Sequence, residues 1–160
     1  MVTEFLRPVR VDAFFCSPYL RSLDTIRPAA REHHMEIVTD RRLRERDALP
    51  GSNTREMIEK RWADRSFHEE GGESILMVQK RNMQALEELL RDYPGKTLVI
   101  GTHGTALSSI LLYYYDRFCA RDFFEIIDRM PMILKLQFEE NRLLHVEQCG
   151  YIEKSPIKRQ

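Results

Sequence analysis

The chain has 160 residues, enough for one domain with a sizeable hydrophobic core and too few for two. Its 25 basic and 25 acidic residues cancel, which argues against nucleic acid or an anionic membrane surface as a partner. The odd number of cysteines and the lack of a CxxC pair favour reduced thiols over a disulfide framework. The longest apolar run, 110–115, is far too short to span a bilayer, and no secretory signal pattern opens the sequence. We therefore expect a single domain over residues 1–160, located in the cytoplasm.

The first half of the chain predicts two short strands and two helices. Residues 11–16, VDAFFC, are short, apolar and aromatic, as in a buried strand. Ser17 as the N-cap and Pro18 at the first helical position predict that a helix follows at once. A second strand is predicted over 34–40, and a loop then leads into a helix around 54–64.

The second half predicts three helices, one strand and a terminal hairpin. The clearest helix covers 74–92, a stretch followed by a Pro-Gly pair. At 100° per residue, one broad face of this helix collects its apolar residues: Ile75, Leu76, Val78, Met83, Ala85, Leu86, Leu89 and Leu90. A strand at 97–100, helices at 106–115 and 120–129, and a hairpin that turns at Glu140-Asn141 complete the chain. Strands that alternate with helices predict an α/β sandwich with a mostly parallel sheet.

Two predicted strands end in the same way, with a polar residue followed by a helix. His103 stands between Gly101 and Gly104 after the strand at 97–100, and Arg21 lies in the first turn after Ser17. Ligands of open α/β sheets bind at the carboxyl ends of strands, and helix N-termini attract anions. A lone histidine at a strand end usually has its hydrogen bonds satisfied by the backbone. A lone arginine in the first turn of a helix is usually solvated. Two such strand ends in one small domain favour a shared phosphate site.

Four segments of the chain resemble motifs of one known family. They read DAFFCSPYLRSLDT, RLRERD, GGESILMVQKR and LVIGTHG. In this order and spacing they resemble the SPxxR, acidic, GES…R and SHG segments of the histidine phosphatase superfamily, which includes the cofactor-dependent phosphoglycerate mutases. The resemblance runs from about residue 11 to the terminal hairpin.

The resemblance implies a fold, a chemistry and a set of site residues. The implied fold is a three-layer α/β sandwich of the phosphoglycerate mutase-like type. His103 would donate to the transferring phosphoryl oxygens, Arg21 would neutralise their charge, and Glu45 would protonate the leaving oxygen. Further contacts to the substrate are expected at the strand ends, from Ser17, Thr102 and Gly104. No metal and no cofactor are implied.

One motif of the family is not found in this sequence. The attacking histidine of the family stands in an Arg-His-Gly motif on the first strand, and no histidine here has that context: His33, His34, His68, His103 and His145. The opening MVTEFLRPVRV resembles the end of the helix that follows that strand, so the chain is expected to be truncated in front, with the first strand missing. Three explanations are considered, in this order. The start of the chain is assigned too late or the chain has been cut, the gene is a degraded remnant, or the short form is a deliberate non-catalytic module. An open sheet edge would also promote pairing between copies of the chain.

The expected activity is metal-independent phosphomonoester hydrolysis through a phosphohistidine in the full-length form. The chain as written is expected to be inactive, and whether it is an enzyme stays open. A phosphatase is favoured over a phosphoglycerate mutase because the chain is short and mutases of this family carry insertions. A non-catalytic phospho-ligand-binding module is the alternative from another class. In each case the partner is a phosphorylated small molecule or phosphate, with no nucleic acid and no membrane.

Three other groups of polar residues invite an assignment. His33-His34 has no metal-ligand spacing and is interpreted as a solvated helix end. Asn82 falls on the apolar face of the predicted helix at 74–92 and is expected to make a buried hydrogen bond. Arg55, Lys60 and Arg61 could contact distal substrate phosphates, but an ordinary charged surface is favoured.

Overall fold

The computed structural model describes residues 1–153 and contains two sheets. The first is parallel and consists of β1 (Ala13–Cys16), β2 (Ile37–Thr39) and β3 (Leu98–Gly101) in the order β2-β1-β3. The second is the predicted hairpin, in which β4 (Met132–Glu139) pairs antiparallel with β5 (Arg142–Tyr151). These strands confirm an α/β fold with a parallel sheet.

Helices cover both faces of the parallel sheet. The α-helices of the described residues are α1 (Val2–Leu6), α2 (Leu20–Glu32), α3 (Arg55–Ala63), α4 (Ile75–Asp92), α5 (Gly104–Tyr114) and α6 (Ala120–Asp128), and a short 3-10 helix covers Arg41–Leu43. Side chains of β1 alternate between the faces. Phe14 packs with Leu6 of α1 and Ile26 of α2, whereas Phe15 packs with Ala85 of α4 on the other face. The result is the predicted three-layer arrangement.

Local sequence signals place the starts of α3 and α4 correctly. Thr54 caps α3 by accepting a hydrogen bond from the N–H of Met57 at 3.3 Å, and Ser74 caps α4 by accepting from the N–H of Met77 at 3.1 Å. Such caps satisfy N–H groups that have no partner inside the helix.

The predicted cap of α2 is wrong. This helix begins at Leu20 with Tyr19 at the cap position, and the hydroxyl of Ser17 accepts a hydrogen bond from the N–H of Tyr19 at 3.3 Å. Ser17 therefore closes a turn before the helix. Its Oγ also lies 2.7 Å from Nε2 of His103, a contact that sequence spacing could not reveal.

The apolar face of α4 is buried as predicted except at Leu90, which is partly buried, and at Leu76, which is 45 % exposed. Leu76 lies at the edge of the apolar arc and in the first turn, where little of the domain covers it. Asn82 lies at the centre of the arc and is fully buried. Its Nδ2 donates to the carbonyl of Val78 at 2.9 Å, which is the expected buried hydrogen bond.

A groove of about 1550 Å³ separates β3 from β4. In the described part of the chain, β3 pairs only with β1 and β4 pairs only with β5, so the edges of β3 and β4 that line the groove carry no ladder hydrogen bonds. Association of copies through these edges stays a prediction. Within residues 1–153, no helix is both long and apolar enough to cross a bilayer.

We predict that Gly101→Ala destabilises the domain. A Cβ at this position would lie 2.5 Å from Sγ of Cys16 and 3.1 Å from Cδ1 of Ile26, inside the closed layer between β3 and α2. Overpacking of this kind costs about 1–3 kcal/mol of unfolding free energy. Gly150→Ala is the matched control, because a Cβ there meets only ordinary contacts at 3.9 Å. Equal midpoints of the two variants in urea denaturation would contradict the prediction.

Candidate active site

The carboxyl ends of β1 and β3 lie side by side. Cys16 and Gly101 are register partners at the last position of the two strands, and the N–H of Ser17 donates to the carbonyl of Gly101 at 2.8 Å. The residues that follow the strands therefore meet. Nε2 of His103, whose side chain is only 5 % exposed, lies 2.7 Å from Oγ of Ser17.

Tyr19 connects the imidazole of His103 to the guanidinium of Arg21. Its ring lies 5.3 Å from the imidazole in an edge-on arrangement, and Cζ of Arg21 lies 5.1 Å from the centre of the same ring. Arg21 is exposed, and both Arg21 and His103 line one end of the groove between β3 and β4. The structure thus brings together the imidazole and the guanidinium that the sequence placed at separate strand ends. The intervening Tyr19 was not predicted.

Glu45 lies at the start of α5, beside the same end of the groove. Its Oε2 accepts from the N–H of Thr105 at 3.1 Å, and its Oε1 accepts from the N–H of Arg46 at 2.9 Å. Glu45 also lines the groove together with His103 and Arg21. One backbone donor at the N-terminus of α5 and one in the loop of Glu45 itself hold this carboxyl group in place.

The other two predicted site residues, Thr102 and Gly104, have structural roles in the loop around His103. Oγ1 of Thr102 donates to the carbonyl of Leu43 at 3.2 Å, and the carbonyl of Thr102 accepts from Oγ of Ser22 at 3.3 Å. At Gly104 a Cβ would lie 2.7 Å from Cγ2 of Ile127, so a side chain does not fit. Thr102 and Gly104 therefore shape the loop around His103, and their contact with a substrate stays a prediction.

Burial, together with the smaller effects of the Arg21 and Arg81 charges, lowers the pKa of His103 to about 4. The imidazole is therefore neutral at pH 7. A neutral imidazole can both donate and accept hydrogen bonds, so it suits a site where an oxyanion alternates with water.

The family model described as "Histidine phosphatase superfamily (branch 1)" matches residues 1–144. The chain belongs to the histidine phosphatase superfamily. A comparison of the sequence with curated proteins gave no match.

Solved structures with this fold include several phosphatases. YhfR of Bacillus stearothermophilus superposes with a TM-score of 0.73 at 20 % identity, over 95 % of this chain and 80 % of that one. Mycobacterial glucosyl-3-phosphoglycerate phosphatase gives 0.68 at 15 % identity, over 96 % and 83 % of the two chains. A phosphoserine phosphatase mutant of Entamoeba histolytica, in complex with phosphoserine, gives 0.68 at 18 % identity, over 94 % and 77 %. At these identities the likeness shows the fold.

Two residues of the superfamily's GES…R segment hold the loop that carries Glu45. The carboxylate of Glu73 accepts from Arg81 at 2.8 and 2.9 Å and from Arg44 at 3.0 Å. Arg81 also donates to three backbone carbonyls of that loop, including the carbonyl of Glu45 at 3.0 Å. Sequence reasoning matched Glu73 and Arg81 to the motif without a role, and the structure makes them positioning residues for Glu45.

The favoured interpretation of the basic residues in α3 is wrong for one of them. Arg55 and Lys60 are exposed, as an ordinary charged surface requires. Arg61 is only 2 % exposed, and it lies with the buried Arg46 beside a small cavity. Helical spacing alone could not identify it, because the partners of Arg61 come from loops on both sides of α3.

Among residues 1–153, no three His, Cys, Asp or Glu side chains are grouped closely enough to hold a metal ion. The cationic groups at the end of the groove are Arg21 and the N-terminus of α5. An anion that bound beside His103 would therefore meet a guanidinium and the backbone N–H groups of a helix start.

We predict that His103 makes the stability of the domain depend on pH. The pKa of His103 is about 4 in the folded chain, below its ordinary 6.5, so the unfolded chain binds this proton first. The contribution of the neutral ring to the free energy of unfolding is complete above pH 6.5 and is lost as the pH falls toward 4. Between pH 7 and 4.5, wild type should lose about 2 kcal/mol more unfolding free energy than His103→Gln does. Urea denaturation across this range, with the exposed His68→Gln as control, checks the difference, and parallel curves for wild type and His103→Gln would contradict it.

Proposed function

We propose that this chain carries the phosphate-binding and proton-transfer part of a metal-independent phosphomonoester hydrolase. The observation that carries the proposal is the meeting of His103, Arg21 and Glu45 at one end of the groove, next to the N-terminus of α5. Phosphoryl transfer asks the protein mainly for positioning and for stabilisation of charge on the phosphoryl oxygens.

Each of the three side chains has a role in this proposal. The guanidinium of Arg21 binds two phosphoryl oxygens and neutralises their charge. The imidazole of His103 donates its N–H to a phosphoryl oxygen and exchanges its contact with Ser17 for that bond. Glu45 donates a proton to the leaving oxygen and later accepts one from water.

The covalent step needs an attacking histidine, and the other histidines of the sequence lie elsewhere. The ring of His33, which follows α2, contacts the carbonyl of Leu6 at 3.0 Å. His34 is the next residue and is exposed in the turn that follows α2. His68 contacts the carbonyl of Glu69 in a loop, and His145 pairs with Gln137 in the hairpin. We therefore propose that the chain alone binds the phosphoryl group and that a phosphohistidine forms only with a histidine from outside these 160 residues.

The same observation favours a second function, a non-catalytic phospho-ligand-binding module. In that case the binding groups Arg21 and His103 act without any chemical step. The two functions share the site, and they differ in whether a histidine-bearing segment ever joins it. Within the enzyme class, phosphatase is preferred to phosphoglycerate mutase, a preference that the phosphatases among the structural neighbours support.

Binding and covalent labelling test the proposal together. Calorimetry with inorganic phosphate and with orthovanadate is expected to show saturable binding to the chain. Incubation with a ³²P-labelled phosphodonor, followed by a denaturing quench at alkaline pH to preserve phosphohistidine, is expected to leave no label on the protein. Label on the chain would overturn the proposal that it lacks a nucleophile. Failure of both anions to bind would overturn the proposed site.

A further inference from the structure

A cavity of about 250 Å³ adjoins Glu45, the residue that also lines the end of the groove beside His103. One part of its wall is apolar and includes Trp62 of α3 and Phe123 of α6. The other part is polar and includes Arg46, Asn53 and Arg61. Because Glu45 is the proposed proton donor to the leaving oxygen, a substrate whose phosphoryl group lies beside His103 would extend its alcohol part past Glu45 into this cavity.

The cavity wall holds two buried guanidinium groups that share two side-chain acceptors. Each also donates to backbone carbonyls, Arg46 to Glu73 at 3.0 Å and to Asp47 at 3.3 Å, and Arg61 to Ser52 at 3.0 Å. The side chains of Arg46 and Arg61 are each 3 % exposed. Both donate to Oδ1 of Asn53, at 3.0 and 3.1 Å. Both also pair with the single carboxylate of Glu69, Arg46 at 3.3 Å and Arg61 in closer contact.

One carboxylate does not balance two buried guanidinium charges. Burial and the nearby charge of Arg46 lower the pKa of Arg61, even though Glu69 acts in the opposite direction. Glu45 is the other carboxylate at the cavity, but its oxygens accept from backbone N–H groups and not from either guanidinium. Among the described residues, Nε of Arg46 and Nε of Arg61 donate to no acceptor. Two buried guanidinium charges that share one carboxylate are only partly compensated, and a bound anion would offset the remaining cost.

We propose that this cavity binds a carboxylate on the alcohol part of the substrate, so that the chain selects short phosphomonoesters that carry an acid group. The unbalanced charge beside Glu69 corresponds to one monoanion, and a guanidinium fork fits a carboxylate. The volume of about 250 Å³ limits the alcohol part to a few carbon atoms, and the apolar wall excludes heavily hydroxylated groups. The inference rests on the proposed function, because it takes the phosphoryl position from His103 and Arg21.

Matched pairs of ligands test the inference on the intact chain. In calorimetry, 2-phosphoglycolate is compared with ethyl phosphate, and 3-phosphonooxypropanoate with propyl phosphate. The members of each pair have equal carbon chains and differ in the carboxylate. We expect the acid of at least one pair to bind about tenfold tighter or more, as a charge-assisted hydrogen bond predicts. The preference should persist in 0.5 M salt, because buried pairs are weakly screened.

Variants of α3 assign the preference to the cavity. Arg61→Gln is expected to reduce the preference to about threefold or less. Arg55→Gln, on the exposed side of the same helix, is the matched control and should retain the full preference. If Arg61→Gln fails to fold, Arg61→Lys keeps the charge without the planar fork, and its preference should lie between that of wild type and none.

The two proposals fail in different ways. If inorganic phosphate and ethyl phosphate do not bind at all, the proposed function is wrong. If both bind and neither carboxylate improves on its matched ester by more than about twofold, only the carboxylate site is overturned. The same holds if a preference exists but is equal in wild type and in folded Arg61→Gln.

Discussion

Glu73→Gln is expected to lower the free energy of unfolding by about 3 kcal/mol, because it leaves the guanidinium of Arg81, which is only 11 % exposed, without its carboxylate. Glu73 is 8 % exposed and accepts from both Arg81 and Arg44. Burial raises the pKa of Glu73, but the hydrogen bonds from Arg81 and from the N–H of Asp47 hold it below its ordinary value. Glutamine keeps the volume of the side chain and removes its charge, so the loss reports the ion pairs and not a cavity.

A surface ion pair provides the control for this prediction. Glu59 pairs with Arg55 at 2.9 Å on the exposed side of α3, and the side chains are 52 % and 75 % exposed. Glu59→Gln is expected to cost less than about 0.5 kcal/mol, as exposed pairs usually do. Urea denaturation at pH 7, with equal m-values, gives both numbers. A loss below about 1 kcal/mol for Glu73→Gln would mean that solvent reaches Arg81, and the loop that carries Glu45 would then not depend on Glu73.

Arg21→Ala is expected to reduce the affinity for inorganic phosphate by about 10-fold to 100-fold, the largest effect on binding that we predict. Arg21 is exposed and stacks on Tyr19, so its removal breaks no buried contact. The same change removes a positive charge that lowers the pKa of His103, so that pKa should rise in the variant.

Arg27→Ala is the matched control, because Arg27 lies on the same helix and pairs with Asp24. It should leave phosphate affinity within about twofold of wild type. Calorimetry measures the affinities, and ¹H–¹³C NMR of the imidazole follows the pKa of His103. Thermal midpoints of both variants should match wild type within about 2 °C, since surface changes of this kind cost little. An equal loss of affinity in the two variants would mean that Arg21 contributes only net charge and does not contact the anion.

Local patterns predicted the elements of this fold well, because the signals that start and end them lie within a few residues. Thr54 and Ser74 cap their helices as residues of their type do, and the strand predicted at 97–100 is found as β3 (Leu98–Gly101), which ends beside His103. The cap predicted at Ser17 failed because its hydroxyl takes partners in a turn and across the sheet. A local pattern carries no information about such partners.

In the candidate site, too, some features follow from local sequence and others depend on residues that are distant in sequence. The sequence by itself determined which residue types stand at the strand ends, and the order of its motifs identified Arg21, Glu45 and His103 as candidates. Only the tertiary structure decided that these three meet, that Glu73 and Arg81 hold the loop of Glu45, and that Arg46 and Arg61 are buried together. The physical reason is that hydrophobic periodicity and capping are short-range properties of the chain. The burial and pairing of a charged side chain depend on segments far apart in sequence that meet only when the layers of the domain pack.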